Sequence, residues 1–438
     1  MRISFIGLGK LGLCSAACFA AKGHQVVGVD TNPVVMAALK AGQCPINETG
    51  LEGLLKQGRS TLSFVEDAGE AVSCTDVTMI IVPTPSRNDG CFSNDYVETV
   101  LRQIAPALAA KKTFHVVDVV STVMPGSCDN VFIPLLEELT GKICGKDFGF
   151  AYNPEFIALG SVIRDFLNPD MVLIGTSDDC SGRMIRDIYA STVESAPHYA
   201  LMSLINAEIA KLSLNCFVTM KISFANELTA LCEKIRGANV DAVTNAIGAD
   251  SRVGRKYLKG GLGFGGPCFP RDNVAFQAAG RAFGFEPQLA PQVVAVNNAV
   301  PTRVLAHIQE NIPPGSDVAL FGVSYKRDTH IVEESQTIML AERLLATGYA
   351  VRLHDAHALD AARNQLHGDV SYHKSPYEAA AGVSCVALLV DTPEFLRYDW
   401  EQLGKLVTAG ALLLDCWRSL IDLDIKSFRY LPLGVGVR

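Results

Sequence analysis

The chain has 438 residues, 49% hydrophobic and 19% charged, with a net charge of −8. That length exceeds what one hydrophobic core usually serves and predicts two or three domains, while the apolar content excludes a disordered chain. The acidic balance carries no large basic block, which argues against nucleic acid or an anionic membrane as partner, so an anionic ligand must be held by a few placed groups. The N-terminus runs directly into a strand without the pattern of a secretory leader, and no apolar run has transmembrane length. The 13 cysteines are scattered without metal spacing, which fits reduced thiols in a cytoplasm and no metal site.

Residues 2–6 form an apolar run, followed by Gly7-Leu-Gly9-Lys-Leu11-Gly12 and an Ala- and Cys-rich stretch to Lys22, which reads as strand, tight turn and helix. Gly23-His24 ends that helix, and Gln25 to Val29 form a second strand closing on Asp30. A GxGxxG run alone is a weak signal; placed between strand and helix it predicts a dinucleotide site. Gly7 makes the turn, Gly9 admits a pyrophosphate, Gly12 lets helix and strand pack, and the helix N-terminus faces the phosphates. Asp30 would accept hydrogen bonds from a ribose diol and repel a 2′-phosphate, favouring NAD over NADP.

Further strands are predicted at Val77 to Val82 and His115 to Val119, ending in Pro83-Thr84-Pro85 and Ser121-Thr122. Polar residues at the carboxyl ends of parallel strands line the ligand crevice, so Thr84 and Thr122 are candidates there, with helix capping as the competing reading. Phe148 to Tyr152 leads into Asn153-Pro-Glu155-Phe156, which aims a carboxylate at the same crevice. From Met202 to about Lys234 the pattern is helical, with an apolar stripe through Ile205, Ile209, Leu212, Cys216 and Met220, and Lys211 and Asn215 on one face. A helix of this length exceeds what one small domain needs and predicts a domain linker that pairs with a partner chain.

The run Gly261-Leu-Gly-Phe-Gly265-Gly-Pro-Cys268-Phe-Pro-Arg271-Asp272 sets a thiol among glycines and beside two ions. An isolated cysteine is ordinarily a small core hydrophobe. Here the glycines are expected to admit a ligand and the ions to tune a nucleophile. After Pro301 the opening theme returns: a strand at Asp317 to Gly322, a helix at Ser335 to Thr347, and a strand at Ala350 to His354 ending on Asp355. Its first turn, Gly322-Val-Ser-Tyr-Lys326, lacks the glycine fingerprint and offers Lys326 to a phosphate. Strands at Val383 to Val390 and Ala411 to Asp415 complete it. The expected fold is α/β: two doubly wound Rossmann-like domains, 1–200 and 301–438, joined by a central helical domain, 201–300, with the long helix.

Together these motifs resemble the nucleotide-sugar 6-dehydrogenases, the UDP-glucose and GDP-mannose dehydrogenases. GLGKLG with Asp30, Pro83-Thr-Pro, Ser121-Thr-Val-Met-Pro-Gly126, Asn153-Pro-Glu-Phe156, Lys211-xxx-Asn215, Asp250-Ser-Arg-Val-Gly254 and GFGGPCFPRD occur in that family's order over essentially the whole chain. The resemblance implies oxidation of C6 of a nucleotide-bound hexose from alcohol through aldehyde to acid, with two NAD reduced. It makes Cys268 the nucleophile of a thioester, Lys211 and Asp272 the groups for proton loss, Asn215, Lys211 and Thr122 oxyanion donors, and Glu155 the residue assisting water. It implies cofactor contacts from Gly7, Gly9, Leu11, Gly12, Asp30, Thr84, Thr122, Glu155 and Arg271. Substrate contacts are implied for Glu155, Phe156, Leu159, Lys211, Asn215, Tyr257, Gly261, Gly265 and Lys326, for Arg252 toward a neighbouring subunit, and the long helix becomes a homodimer core.

Three departures fall on specificity elements. Ile157-Ala158-Leu159-Gly160 lacks a second Glu found in many relatives, Glu333 stands where a basic cofactor contact is common, and Asp415-Cys-Trp-Arg418 replaces an Asp-Gly-Arg run, leaving Trp417 or Arg418 for the nucleotide. UDP-glucose leads as substrate; UDP-N-acetylhexosamines and GDP-mannose fit the same architecture. A β-hydroxyacid dehydrogenase would not need the thiol, and a noncatalytic nucleotide-binding protein would not need Cys268, Lys211 and Asn215 together.

Overall fold

The computed structural model describes residues 1–157 and 160–436. It divides into two compact units, Met1–Ser213 and Leu214–Arg438. The first holds an eight-stranded sheet: β1 (Arg2–Ile6), β2 (Gln25–Val29), β3 (Leu62–Phe64), β4 (Val77–Ile80), β5 (Val116–Val119), β6 (Gly149–Tyr152), β7 (Met171–Thr176) and β8 (His198–Ser203), in the order β3-β2-β1-β4-β5-β6-β7-β8. β1 to β6 are parallel and wound in the dinucleotide-binding order; β7 turns antiparallel to β6. Alternate residues supply a core to each face: Ile3 and Phe5 pack on one, Ile6 and Val29 on the other.

The second unit repeats this winding with β9 (Asp317–Phe321), β10 (Ala350–His354), β11 (Val370–His373), β12 (Cys385–Leu388), β13 (Leu412–Asp415) and β14 (Arg429–Pro432), all parallel, in the order β11-β10-β9-β12-β13-β14. The repeat extends to single hydrogen bonds. Gly7 N–H donates to Val29 O at 2.9 Å, and Leu8 and Asn32 N–H donate to Asp30 at 2.6 and 2.7 Å. Gly322 N–H donates to His354 O at 2.9 Å, and Val323 and His357 N–H donate to Asp355, each at 2.7 Å.

The long helix runs Leu204–Lys234, 31 residues, and starts two residues later than its pattern suggests because Met202 and Ser203 are held in the ladder between β8 and β7. The apolar stripe does not describe its buried face. Leu212 is buried, but Ile209 is 43% exposed, and the side chains that turn inward are Glu208, Lys211, Asn215, Thr219, Ser223 and Asn226. A polar inner face makes sense only where each group has a partner. Asn215 reaches Asp272, Thr219 receives Asn273, and Ser223 donates to Val293 O at 3.0 Å. Among the described residues no helix is long and apolar enough to cross a membrane.

Candidate active site

In the first unit the three glycines of the cofactor turn divide their work by geometry. A Cβ on Gly7, whose φ is +100°, would lie 2.0 Å from Ile81 O, and one on Gly12 would lie 2.0 Å from Gly7 O. A Cβ on Gly9 meets nothing within 4 Å. Gly9 also begins the helix Lys10–Ala21 without a side-chain cap, and Leu11 packs at the edge of the core. Gly7 and Gly12 are thus required by the fold and Gly9 is left clear, an arrangement that fits a pyrophosphate on the helix N-terminus. Asp30 closes the crevice from β2.

At the ends of β4 and β5, Ser121 Oγ donates to Val82 O at 2.6 Å and Thr84 Oγ1 to Thr122 O at 2.7 Å. These bonds fix where Thr122 stands. Past β6, Pro154 turns the chain and Glu155 meets the phenol of Tyr189, which donates to Oε1 at 2.5 Å. Lys211 Nζ donates to Glu155 O at 2.6 Å and lies 4.4 Å from the Phe156 ring centre. The fold thus brings together Glu155, Phe156 and Lys211. Burial raises the Glu155 carboxyl from 4.5 to about 7, with Tyr189 and Lys211 pulling the other way. Asp118, buried in β5, is pushed well above the carboxylate range by burial and then by the charge of Glu155. Leu159 lies outside the described residues.

In the second unit Cys268 is exposed and forms the N-cap of the helix Phe269–Ala282. Asp272 lies one turn on, buried, and accepts from Asn215 Nδ2 at 2.6 Å. Arg271 Nε stands 3.8 Å from the other Asp272 oxygen. By contrast Cys216, on the long helix, is pushed up to about 12 by burial and then by Asp272. Of these two thiols, Cys268 has the access a nucleophile needs.

Several glycines around Cys268 let the protein close on itself. A Cβ on Gly261 would lie 2.6 Å from the Trp417 ring, on Gly263 2.2 Å from Asn297 Oδ1, and on Gly265 2.2 Å from Glu334 O. Gly266, at φ +82°, backs onto the Tyr325 ring. Two buried asparagines clamp the segment. Asn226 accepts from Gly261 N–H at 3.0 Å and donates to Leu262 O at 3.1 Å; Asn297 accepts from Phe264 N–H at 2.7 Å and donates to Phe264 O at 3.0 Å. Asn226 lies on the buried polar face that runs through Lys211, Asn215, Thr219 and Ser223, a face that the apolar pattern of the helix does not mark. Asn297, Tyr189 and Tyr325 carry no sequence signal. Asn297→Ala strands both polar groups of Phe264, and since an unmade buried bond costs about 1–3 kcal/mol per group, a loss of roughly 2–5 kcal/mol is expected in urea unfolding.

Lys326 lies 5.7 Å from the ring centre of Tyr325, whose hydroxyl is raised to about 12 by burial and then by Cys268. That places Tyr325 against the thiol loop. Tyr257, at φ +62° and half-exposed, stacks edge-on to Phe269. Arg252 stands apart from this group, its side chain 87% exposed and paired with Asp250 at 2.7 Å. Between the two nucleotide candidates at the end of β13, Arg418 spends its donors on Asp241 at 2.6 and 2.9 Å and on the carbonyls of Gly260 and Leu433. Trp417 instead packs on Gly261 with Lys259 Nζ 5.6 Å from its ring centre. Glu333 contributes its backbone, accepting from Gly266 N–H at 3.0 Å.

Comparison with known proteins agrees along the chain. Models of the UDP-glucose/GDP-mannose dehydrogenase family match its NAD binding domain at residues 1–193, its central domain at 205–299 and its UDP binding domain at 319–422. A UDP-glucose 6-dehydrogenase of Haloferax volcanii is 36% identical, covering 92% of this chain and 94% of the relative. A GDP-mannose 6-dehydrogenase of Azotobacter vinelandii is 34% identical over 95% of this chain and 96% of its own. The solved UDP-glucose dehydrogenase of Pyrobaculum islandicum superposes with a TM-score of 0.87 at 34% identity, covering 99% of this chain and 98% of that one. The chain belongs to the UDP-glucose/GDP-mannose dehydrogenase family and is an NAD-dependent nucleotide-sugar 6-dehydrogenase.

Proposed function

We propose that the substrate is UDP-glucose and the product UDP-glucuronate, formed by a four-electron oxidation through a thioester on Cys268. The observation that carries the chemistry is an exposed thiol at a helix N-terminus, one turn from a buried Asp272 bound to Asn215. The Gly7–Gly12 turn and Asp30 would hold NAD, which would accept one hydride in each oxidation, two NAD being consumed per sugar. Lys211 and Asp272 take up the proton of the C6 hydroxyl. The Cys268 thiolate adds to the C6 aldehyde, and the second oxidation converts the thiohemiacetal to the thioester. Asn215, Lys211 and Thr122 hydrogen-bond the oxyanion at C6. Glu155 takes a proton from the water that releases the acid and frees the thiol. Tyr257, Gly261, Gly265, Phe156 and Lys326 hold the sugar nucleotide, and Arg271 serves the cofactor side.

Relatives named for UDP-glucose and for GDP-mannose are nearly equally similar, 36% and 34% identical, so substrate preference is decided by assay. A homodimer belongs to the same reading. Phe217, Phe224 and Leu231 stand 58%, 49% and 54% exposed, one heptad apart along the long helix, a seam suited to a second copy. The test is a panel of UDP-glucose, UDP-N-acetylglucosamine, UDP-N-acetylmannosamine and GDP-mannose with NAD, following NADH and product acid. UDP-glucose is expected to have the highest kcat/KM; a higher value for another sugar transfers the assignment to it.

A further inference from the structure

Glu208 is buried on the long helix, one turn before Lys211. Its two oxygens meet a single stretch of backbone: Oε2 accepts from Gly126 N–H at 2.6 Å and Oε1 from Cys128 N–H at 2.8 Å. Gly126, at φ +90°, closes the run Ser121-Thr-Val-Met-Pro-Gly126, and Cys128 opens the π-helical turn Cys128–Phe132. The run is therefore held at both ends. At its start Ser121 Oγ donates to Val82 O and Thr84 Oγ1 to Thr122 O; at its end Glu208 takes the N–H groups of Gly126 and Cys128. Between them Ser127 N–H donates to Met124 O at 3.0 Å and tightens the turn. All of these residues belong to the first unit.

The first N–H groups of a helix have no partner within it, and a carboxylate placed there satisfies them and meets the positive end of the helix. Ser127, at the N-cap, does not supply that bond from its own side chain. The acceptor comes instead from 80 residues further along the chain, on the helix that carries Lys211. Burial raises the Glu208 carboxyl, and the bonds from Cys128 and Gly126 pull the other way. We propose that Glu208 is a positioning residue for the chemistry at C6: it ties the Ser121–Gly126 run to the helical turn that carries Lys211, and so sets where Thr122 stands relative to that lysine. Glu208 acts through Thr122, from a buried position behind it. This rests on the reading in which Thr122 hydrogen-bonds the oxyanion.

A double-mutant cycle on the full chain tests the proposal, using Glu208→Gln, Thr122→Ala and the double variant. Thermal midpoint, kcat, and KM for NAD and for UDP-glucose, or for the panel sugar of highest kcat/KM, are measured for each. Glu208→Gln keeps the shape of the side chain but turns an amide NH2 toward one of the two N–H groups. It is expected to lower kcat about tenfold with each KM within about threefold, because a displaced donor weakens transition-state binding more than ground-state binding. Thr122→Ala is expected to lower kcat by about tenfold or more. The double variant falls no more than about twofold below Thr122→Ala, because Glu208 acts through Thr122. Glu208→Asp, which keeps two acceptor oxygens with a shorter reach, supplies the same cycle if Glu208→Gln does not fold. If Thr122→Ala lowers kcat and the Glu208 variants do not, or if the two losses multiply in the double variant, the positioning role is wrong. A lowered midpoint with wild-type kcat overturns it as well. If Thr122→Ala leaves kcat unchanged, the donor reading fails and takes the proposal with it.

Discussion

Cys268→Ser is expected to reduce acid formation by about 10³-fold or more while NAD and the nucleotide sugar still bind. The substitution keeps the clamps on the loop before the helix Phe269–Ala282, because Asn226 and Asn297 hold it through the backbone of Gly261, Leu262 and Phe264. What it removes is a soft nucleophile, placed where the positive end of a helix favours an anion. A serine hydroxyl there has no comparable anionic population. Product acid by mass spectrometry, with binding by calorimetry, separates lost chemistry from lost structure. Acid release at the wild-type rate would remove the thioester from the mechanism.

Glu155→Gln is expected to slow acid release by about 10²- to 10⁴-fold, the range for a positioned general base, with a smaller effect on the first oxidation. The pH dependence follows from the environment of the carboxyl. Burial holds it at about 7, and only the carboxylate can take a proton from water. Release of acid in the wild type therefore rises as pH increases through about 7. Tyr189→Phe deletes the bond that favours the carboxylate and moves this limb to higher pH. The stability consequence has the opposite sense. A group whose folded value is raised binds more protons folded than unfolded, so its favourable contribution is full below the ordinary 4.5 and is lost as pH rises through about 7. Denaturant midpoints at pH 5 and pH 8 should differ less in Glu155→Gln than in the wild type. An equal difference would show that Glu155 does not titrate in this interval.

Much of the architecture was legible because local signals and global fold agree. The Gly7–Gly12 turn lies between an apolar strand and a helix, and the second half repeats the Gly23–Asp30 rhythm at Gly348–Asp355, so two sheets of one winding follow. The long helix was visible from its length without Gly or Pro, but its inner face was not. Apolar periodicity locates a core only where the buried side is apolar, and this helix turns a polar side inward. The Cys268 loop left its neighbours unread. Glycine in a sequence reports close approach without saying to what, and here the approaching groups are Trp417, Asn297, Glu334 and Tyr325. Asn297 and Tyr189 reach their partners across long stretches of chain, which no local pattern encodes.

The departures in the family's specificity elements resolve in structural terms at two places. Arg418 is absorbed into the fold through Asp241 and backbone carbonyls, whereas Trp417 packs on Gly261. Glu333 supplies a carbonyl to the Cys268 loop through Gly266, a role independent of its side chain.

The covalent intermediate is the claim on which the mechanism stands, and Glu155→Gln provides the means to see it. Intact-protein mass spectrometry of this variant, quenched in acid after mixing with NAD and UDP-glucose, measures it directly. A mass increase equal to the uronyl nucleotide, mapped to the peptide bearing Cys268 and removed by hydroxylamine, is the expected result. NADH formation and acid release with no adduct at Cys268 in any quenched sample would contradict the account.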